Sequence, residues 1–115
     1  MGSEFEVTRE AAGNGVVVIT VRGFLDAHTF ERLEEAISQA FSGGFYRIVV
    51  DLAGVGYVSS AGAGVFIGAL SEAQENGGNI VLLNPGPNVR EVFELLGLTQ
   101  IFQVVNDRRA ALAAF

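Results

Sequence analysis

Two adjacent serines, Ser59 and Ser60, are the residues of this chain best placed to do chemistry. They follow Ile48-Val49-Val50-Asp51-Leu52-Ala53-Gly54-Val55-Gly56-Tyr57-Val58 and precede Ala61-Gly62-Ala63-Gly64-Val65-Phe66. A β-branched apolar run, a loop with two glycines and a small-residue helix predict a strand–loop–helix unit. In open α/β sheets, sites sit in such loops beyond the carboxyl ends of the strands. A hydroxyl there could be a nucleophile, a helix cap or a phosphoryl acceptor. Nucleophilic catalysis lacks its parts. A hydrolase elbow needs glycine two residues before the serine, and before Ser60 that position holds Val58. His28 is the only histidine and precedes the serines, opposite to the α/β-hydrolase order. His28 therefore reads as a solvated first-turn residue.

The other site chemistries fail in the same way. No Gly-Lys-Ser/Thr ending forms a phosphate loop, and Gly54-Val55-Gly56 supplies two of the three glycines of a dinucleotide fingerprint. One histidine without cysteine makes a catalytic metal site improbable. Asp51 ends its strand without an acid–base partner, so it is expected to hydrogen-bond loop amides. The expectation is a protein with no catalytic residue, no metal and no cofactor.

Two roles remain for the serine pair. Serine is a good helix N-cap, worth about 1 kcal/mol over alanine. A hydroxyl at an exposed helix start could also accept a phosphoryl group, and the dianion would face the positive helix end, a gain of about 0.3–1 kcal/mol. A partner pressed on that surface would instead bury roughly two uncompensated charges, at several kcal/mol. The second effect is larger, so phosphorylation there would release a partner without unfolding the domain.

The elements that must position these residues follow from periodicity and turn chemistry. The 115 residues suffice for one domain, taken as 1–115, and a hydrophobic half argues against disorder. A short strand is expected over Glu4–Glu10, then a turn at Asn14-Gly15 and a central strand over Val16–Val21, the two strands forming an antiparallel hairpin. Helix one is expected over Ala27–Phe41, with Asp26 as cap or first-turn acid and Ser42-Gly43-Gly44 as its stop. Tyr46–Asp51 is the third strand, parallel to the second. Helix two spans Ser60–Glu75, and its early glycines cost about 1 kcal/mol each, offset by close approach to the sheet or to a partner. Asn79–Leu83, a helix over Val89–Leu96 capped by Asn88 and ended by Gly97, Ile101–Val105 and a last helix over Arg108–Phe115 capped by Asp107 complete the order. The fold class is α/β: a mixed, mostly parallel sheet of about five strands with about four helices, in the order β-β-α-β-α-β-α-β-α.

Composition narrows the partners. The net charge of −6 argues against nucleic acid and anionic membrane surfaces. The apolar stretch near 58–70 is too short and interrupted to span a bilayer. No secretory signal pattern opens the chain, and the absence of cysteine fits a cytoplasmic protein. Met1-Gly2-Ser3 has the look of an expression scar.

Three motifs together resemble the STAS domain, and within it the bacterial anti-sigma-factor antagonists. The segment Asp51-Leu52-Ala53-Gly54-Val55-Gly56-Tyr57-Val58-Ser59-Ser60-Ala61-Gly62-Ala63-Gly64-Val65 is similar to the family's Asp-Leu-Ser-Gly-Val-x-x-hydrophobic-Asp-Ser-Ser/Thr-Gly-Leu-Gly-Val. Gly23-Phe24-Leu25-Asp26 looks like its Gly-x-Leu-Asp, and Val92-Phe93-Glu94-Leu95-Leu96-Gly97-Leu98 with Ile101-Phe102 looks like its C-terminal signature. The resemblance implies an antagonist that binds a kinase-like anti-sigma factor, is phosphorylated by that serine kinase and is restored by a phosphatase. It implies Ser60 as the phosphorylated residue, with Ser59 as the alternative. Asp26, Ser59, Ser60, Ala61, Gly62, Ala63 and Gly64 would be the partner-binding residues. The chain departs from the pattern at Ser59, where the family has an acid, and at Ala61 and Ala63. The other role the resemblance allows is an unphosphorylated partner-binding module of a stress-signalling or lipid-transport complex.

Overall fold

The computed structural model describes residues 5–115; Met1, Gly2, Ser3 and Glu4, with the first residue of the expected opening strand, lie outside them. The described elements are β1 (Glu6–Ala11), β2 (Val16–Leu25), α1 (Phe30–Ser42), β3 (Arg47–Val58), α2 (Ala63–Glu75), β4 (Asn79–Leu83), α3 (Pro87–Leu95), β5 (Gln103–Val105) and α4 (Arg108–Ala113). Short 3₁₀ turns at Ser60–Gly62 and Leu98–Gln100 precede α2 and β5. The strands form one sheet in the order β1-β2-β3-β4-β5. β1 is antiparallel to β2, and the remaining neighbours are parallel. The expected order and mixed sheet are therefore present.

Alternation along the strands sorts the side chains to two faces. Val17, Ile19 and Val21 of β2, Ile48, Val50 and Leu52 of β3, and Ile80 and Leu82 of β4 meet α1, α2 and α3 in the larger core. Val16, Val18, Val49, Val81 and Leu83 meet Ala111 of α4 on the other face. Both faces of the central strands are covered at that end, which is why these strands are continuously apolar in sequence. Phe66 of α2 binds the helical layer together, packing edge-to-face on Phe30, Phe93 and Phe102 at 5.6–6.0 Å between ring centroids.

Local chemistry shifts several expected boundaries. Helix α1 starts at Phe30, not Ala27, because residues 26–29 form a hydrogen-bonded turn. Asn88 does not cap α3: Gly86 holds the N-cap position in extended backbone and Pro87 enters the first turn, where its missing N–H is harmless. Gly97 does end that segment, in left-handed backbone at φ 77°. Ile101 and Phe102 lie before β5, since their N–H groups turn back to the Leu98 carbonyl at 3.2 and 2.9 Å. Asp107 caps α4 as expected, its Oδ1 accepting the Ala110 N–H at 2.8 Å.

Candidate functional site

The largest departure from expectation positions the site. The sequence ends β2 near Val21 and β3 at Asp51, yet the parallel ladder continues through Arg22↔Gly54, Gly23↔Val55, Phe24↔Tyr57 and Leu25↔Val58. Gly54 and Gly56 are strand residues, not loop residues, because side chains from β2 lie across them. A Cβ on Gly54 would stand 2.9 Å from Arg22 Cγ, and one on Gly56 would stand 3.2 Å from Phe24 Cε1. Leu25, Val55 and Val58 point into the core. Phe24 and Tyr57 point outward, 52% and 51% exposed, and touch edge-to-face at 5.9 Å. The extended ladder delivers the turn after β2 and the turn after β3 side by side: the Ser59 N–H donates to the Leu25 carbonyl at 2.8 Å.

The two serines then part. Ser59 sits in extended backbone at φ −90°, ψ 160°, and its Oγ is buried with no hydrogen-bond partner. Ser60 is exposed and opens the 3₁₀ turn, its carbonyl accepting the Ala63 N–H. Neither hydroxyl caps a helix, which corrects the capping expectation. Ser59 turns its hydroxyl inward, and α2 begins only at Ala63, beyond reach of a serine N-cap.

The small residues after the pair divide as well. Ala61 and Gly64 are exposed, Ala63 is half-buried and Gly62 is buried. A Cβ on Gly62 would overlap the Phe30 ring at Cζ, Cε1 and Cε2. Phe30 of α1, not solvent, occupies the space beside Gly62. Of the expected contact residues, Gly62 is thus a packing residue of the domain itself.

Asp26 is held by a reciprocal turn. Its Oδ1 accepts the N–H groups of His28 at 3.0 Å and Thr29 at 3.1 Å, and the Thr29 hydroxyl lies 3.2 Å away. The Asp26 N–H in return donates to Thr29 Oγ1 at 2.8 Å, and that hydroxyl also donates to the Phe24 carbonyl at 2.6 Å. This is capping-box logic, and the Asp26-x-x-Thr29 spacing is its signal in the sequence, with Thr29 a site residue beyond the expected Asp26. The Thr29 amide, more than any other group, holds the Asp26 carboxyl below its ordinary value, with the His28 amide and Thr29 hydroxyl assisting against partial desolvation. A carboxylate with a depressed folded pKa stabilises the fold above its unfolded pKa of about 4, and that contribution disappears as pH falls through the folded value. Asp26→Ala therefore melts below wild type at pH 7, and the gap narrows as the pH falls below the ordinary carboxylate range of about 4, in thermal melts monitored by circular dichroism. Asp51 lies inside β3 rather than at its end, so its Oδ1 accepts the N–H of a strand residue, Ala53, at 3.1 Å and not a loop amide.

The arrangement is a presented surface: an exposed hydroxyl, a structured acidic turn and an exposed aromatic pair, all at the strand ends. Among the described residues no group of three His, Cys, Asp or Glu side chains could hold a metal ion, and no helix is long and apolar enough to cross a membrane. The STAS domain family matches residues 9–111, and the chain belongs to that family. Its relatives lie among the anti-sigma-factor antagonists. It is 39% identical over 93 residues to the anti-sigma F factor antagonist of Lysinibacillus sphaericus, a match covering 80% of this chain and 75% of the relative. It is 36% identical over 102 residues to BtrV of Bordetella bronchiseptica, named as a candidate anti-sigma factor antagonist, covering 89% and 88%. The structure of the antagonist SpoIIAA in its unphosphorylated form superposes with a TM-score of 0.81 at 30% identity, covering 93% of each chain. The phosphorylated form of Bacillus SpoIIAA gives 0.73 at 29% identity, covering 94% and 97%. These names describe regulatory binding proteins, not enzymes.

Proposed function

We propose that this chain, acting as a single STAS domain, binds a kinase-like anti-sigma factor through the Asp26 turn and the exposed residues of the 59–64 segment, and that phosphorylation of Ser60 ends the complex. The observation that carries the choice of serine is the contrast in access: Ser60 is exposed, whereas Ser59 Oγ is buried. A kinase must bring the γ-phosphorus of ATP within bonding distance of the hydroxyl. Oγ of Ser60 forms the new P–O bond, the bond to ADP breaks, and the hydroxyl proton passes to a base of the kinase. The product carries about −1.5 to −2 charges beside the positive end of the 3₁₀ turn and α2. A phosphatase would return the binding form. SpoIIAA, a relative of this chain, has been solved in both states.

Incubation with the cognate kinase and ATP, followed by phosphopeptide mapping, places the phosphate on Ser60. The label survives Ser59→Ala and is absent from Ser60→Ala. A phosphate found on Ser59 alone, or on neither serine, defeats the assignment. A second reading, partner binding without a phosphoryl switch, is favoured by Ser59, which stands where the family has an acid. Under that reading the same partner co-purifies with the chain whether or not phosphatase is present.

A further inference from the structure

Between α1 and α2 runs a groove of about 260 Å³. Its apolar lining comes from Ile37 and Phe41 of α1 and from Val65 and Ala69 of α2. Glu34 stands on one wall and Glu72 on the other, and no lysine or arginine lines it. The nearest cation on α1, Arg32, is turned away, its guanidinium 5.0 Å from the Phe5 ring centroid and bonded to the Phe5 carbonyl at 3.1 Å. The remaining lining includes Gly64 and Gly68, both exposed. Their position has no intramolecular reason: a Cβ at either would meet nothing within 4 Å, in contrast to Gly62. Each weakens the helix relative to alanine. The fold thus leaves open, at a cost, a mainly polar cleft, walled by Glu34 and Glu72, that begins at the end of the candidate contact segment.

We infer that this groove is the second half of the partner footprint, and that it takes a basic segment of the anti-sigma factor, with Lys or Arg side chains against Glu34 and Glu72. The inference rests on the proposed function for the identity of the partner. Charge complementarity selects the segment: an acidic or neutral one would leave two carboxylates facing the interface unpaired. Continuity with Ser60 selects the partner, since Gly64 is one turn along from the exposed serine.

The test uses the purified full chain and the anti-sigma factor encoded in the same genome, with affinity read by calorimetry across salt concentrations. The double variant E34K/E72K is expected to bind at least about 10-fold more weakly, with a flatter salt dependence. Gly68→Leu, which fills the groove, is expected to lose a similar factor. Gly68→Ala checks folding: it raises the melting temperature by about 2–5 °C while binding does not improve. Wild-type affinity in both E34K/E72K and Gly68→Leu overturns the groove, and if Ser60→Asp still loses binding, the switch stands alone. Loss of binding in the groove variants with wild-type affinity in Ser60→Asp supports the groove and removes the switch. If no anti-sigma factor of that genome binds the wild-type chain, both fall. If the groove variants instead abolish a dimer of this chain in sedimentation, the occupant is a second copy and the inference is overturned.

Discussion

Ser60→Asp binds the anti-sigma factor about 100-fold more weakly than wild type, while its melting temperature stays within about 2 °C. Both halves of that result follow from where Ser60 stands. Its side chain is exposed in the free chain, so a carboxylate there keeps its water and meets the positive end of the helical turn, an effect of at most about 1 kcal/mol. Covered by a partner, the same charge loses its hydration, and an unpaired buried charge costs about 3 kcal/mol or more, which is the 100-fold loss. Ser60→Ala separates charge from the loss of a hydroxyl: it binds within a few-fold of wild type and no longer responds to the kinase. Ser59→Asp tests the opposite placement. Its carboxylate would be forced into the pocket now holding a buried, unpartnered hydroxyl, so its effect falls on folding before binding. Wild-type affinity in Ser60→Asp would show that the charge-release mechanism is wrong.

Gly62→Ala is the most damaging single methyl in the candidate segment. The new Cβ would overlap three atoms of the Phe30 ring. That ring is 3% exposed and packs edge-to-face on Phe66, which in turn packs on Phe93 and Phe102, so it has no free direction in which to move. Overpacking of a fixed core costs about 1–3 kcal/mol, and the rigidity of this aromatic chain places the variant at the upper end, a drop of about 10 °C in melting temperature. Phe30→Leu in the same chain recovers part of the loss, because it removes the colliding atoms, and a double-mutant cycle reads the coupling directly. The strain falls on the turn that carries Ser60, so phosphorylation by the cognate kinase slows as well. A Gly62→Ala chain that melts within about 2 °C of wild type would show that Phe30 is free to yield. Gly68→Ala moves the other way, and the pair separates glycines required by the fold from glycines that leave a surface open.

The contrast between these glycines also marks how far the sequence could be read. Alternation and turn chemistry located the core strands, the hairpin and the helices, because hydrophobic periods of 2 and 3.6 residues are local properties. The Gly-x-Leu-Asp turn, the serine pair and the small residues after it were legible as motifs. What failed were decisions that depend on neighbours distant in sequence. Gly54 and Gly56 look like loop glycines until Arg22 and Phe24 are seen lying across them. Ser59 and Ser60 are chemically the same residue, and only the end of the β2–β3 ladder turns one hydroxyl inward and the other out. Gly62, Gly64 and Gly68 are likewise equivalent as letters.

The sequence by itself determined an α/β domain with parallel central strands, an acidic character, and a serine-bearing turn between β3 and α2 that lacks the partners for catalysis. Each of these rests on residue type and spacing within one segment. The tertiary structure alone decided that the Asp26 turn and Ser59 are neighbours, that Ser60 is the accessible hydroxyl, that Gly62 belongs to Phe30, and that an acid-walled groove separates α1 from α2. The physical reason is the same in each case: access and steric conflict are set by what packs against a residue, and here the packing comes from β2 and α1, 30 or more positions earlier in the chain.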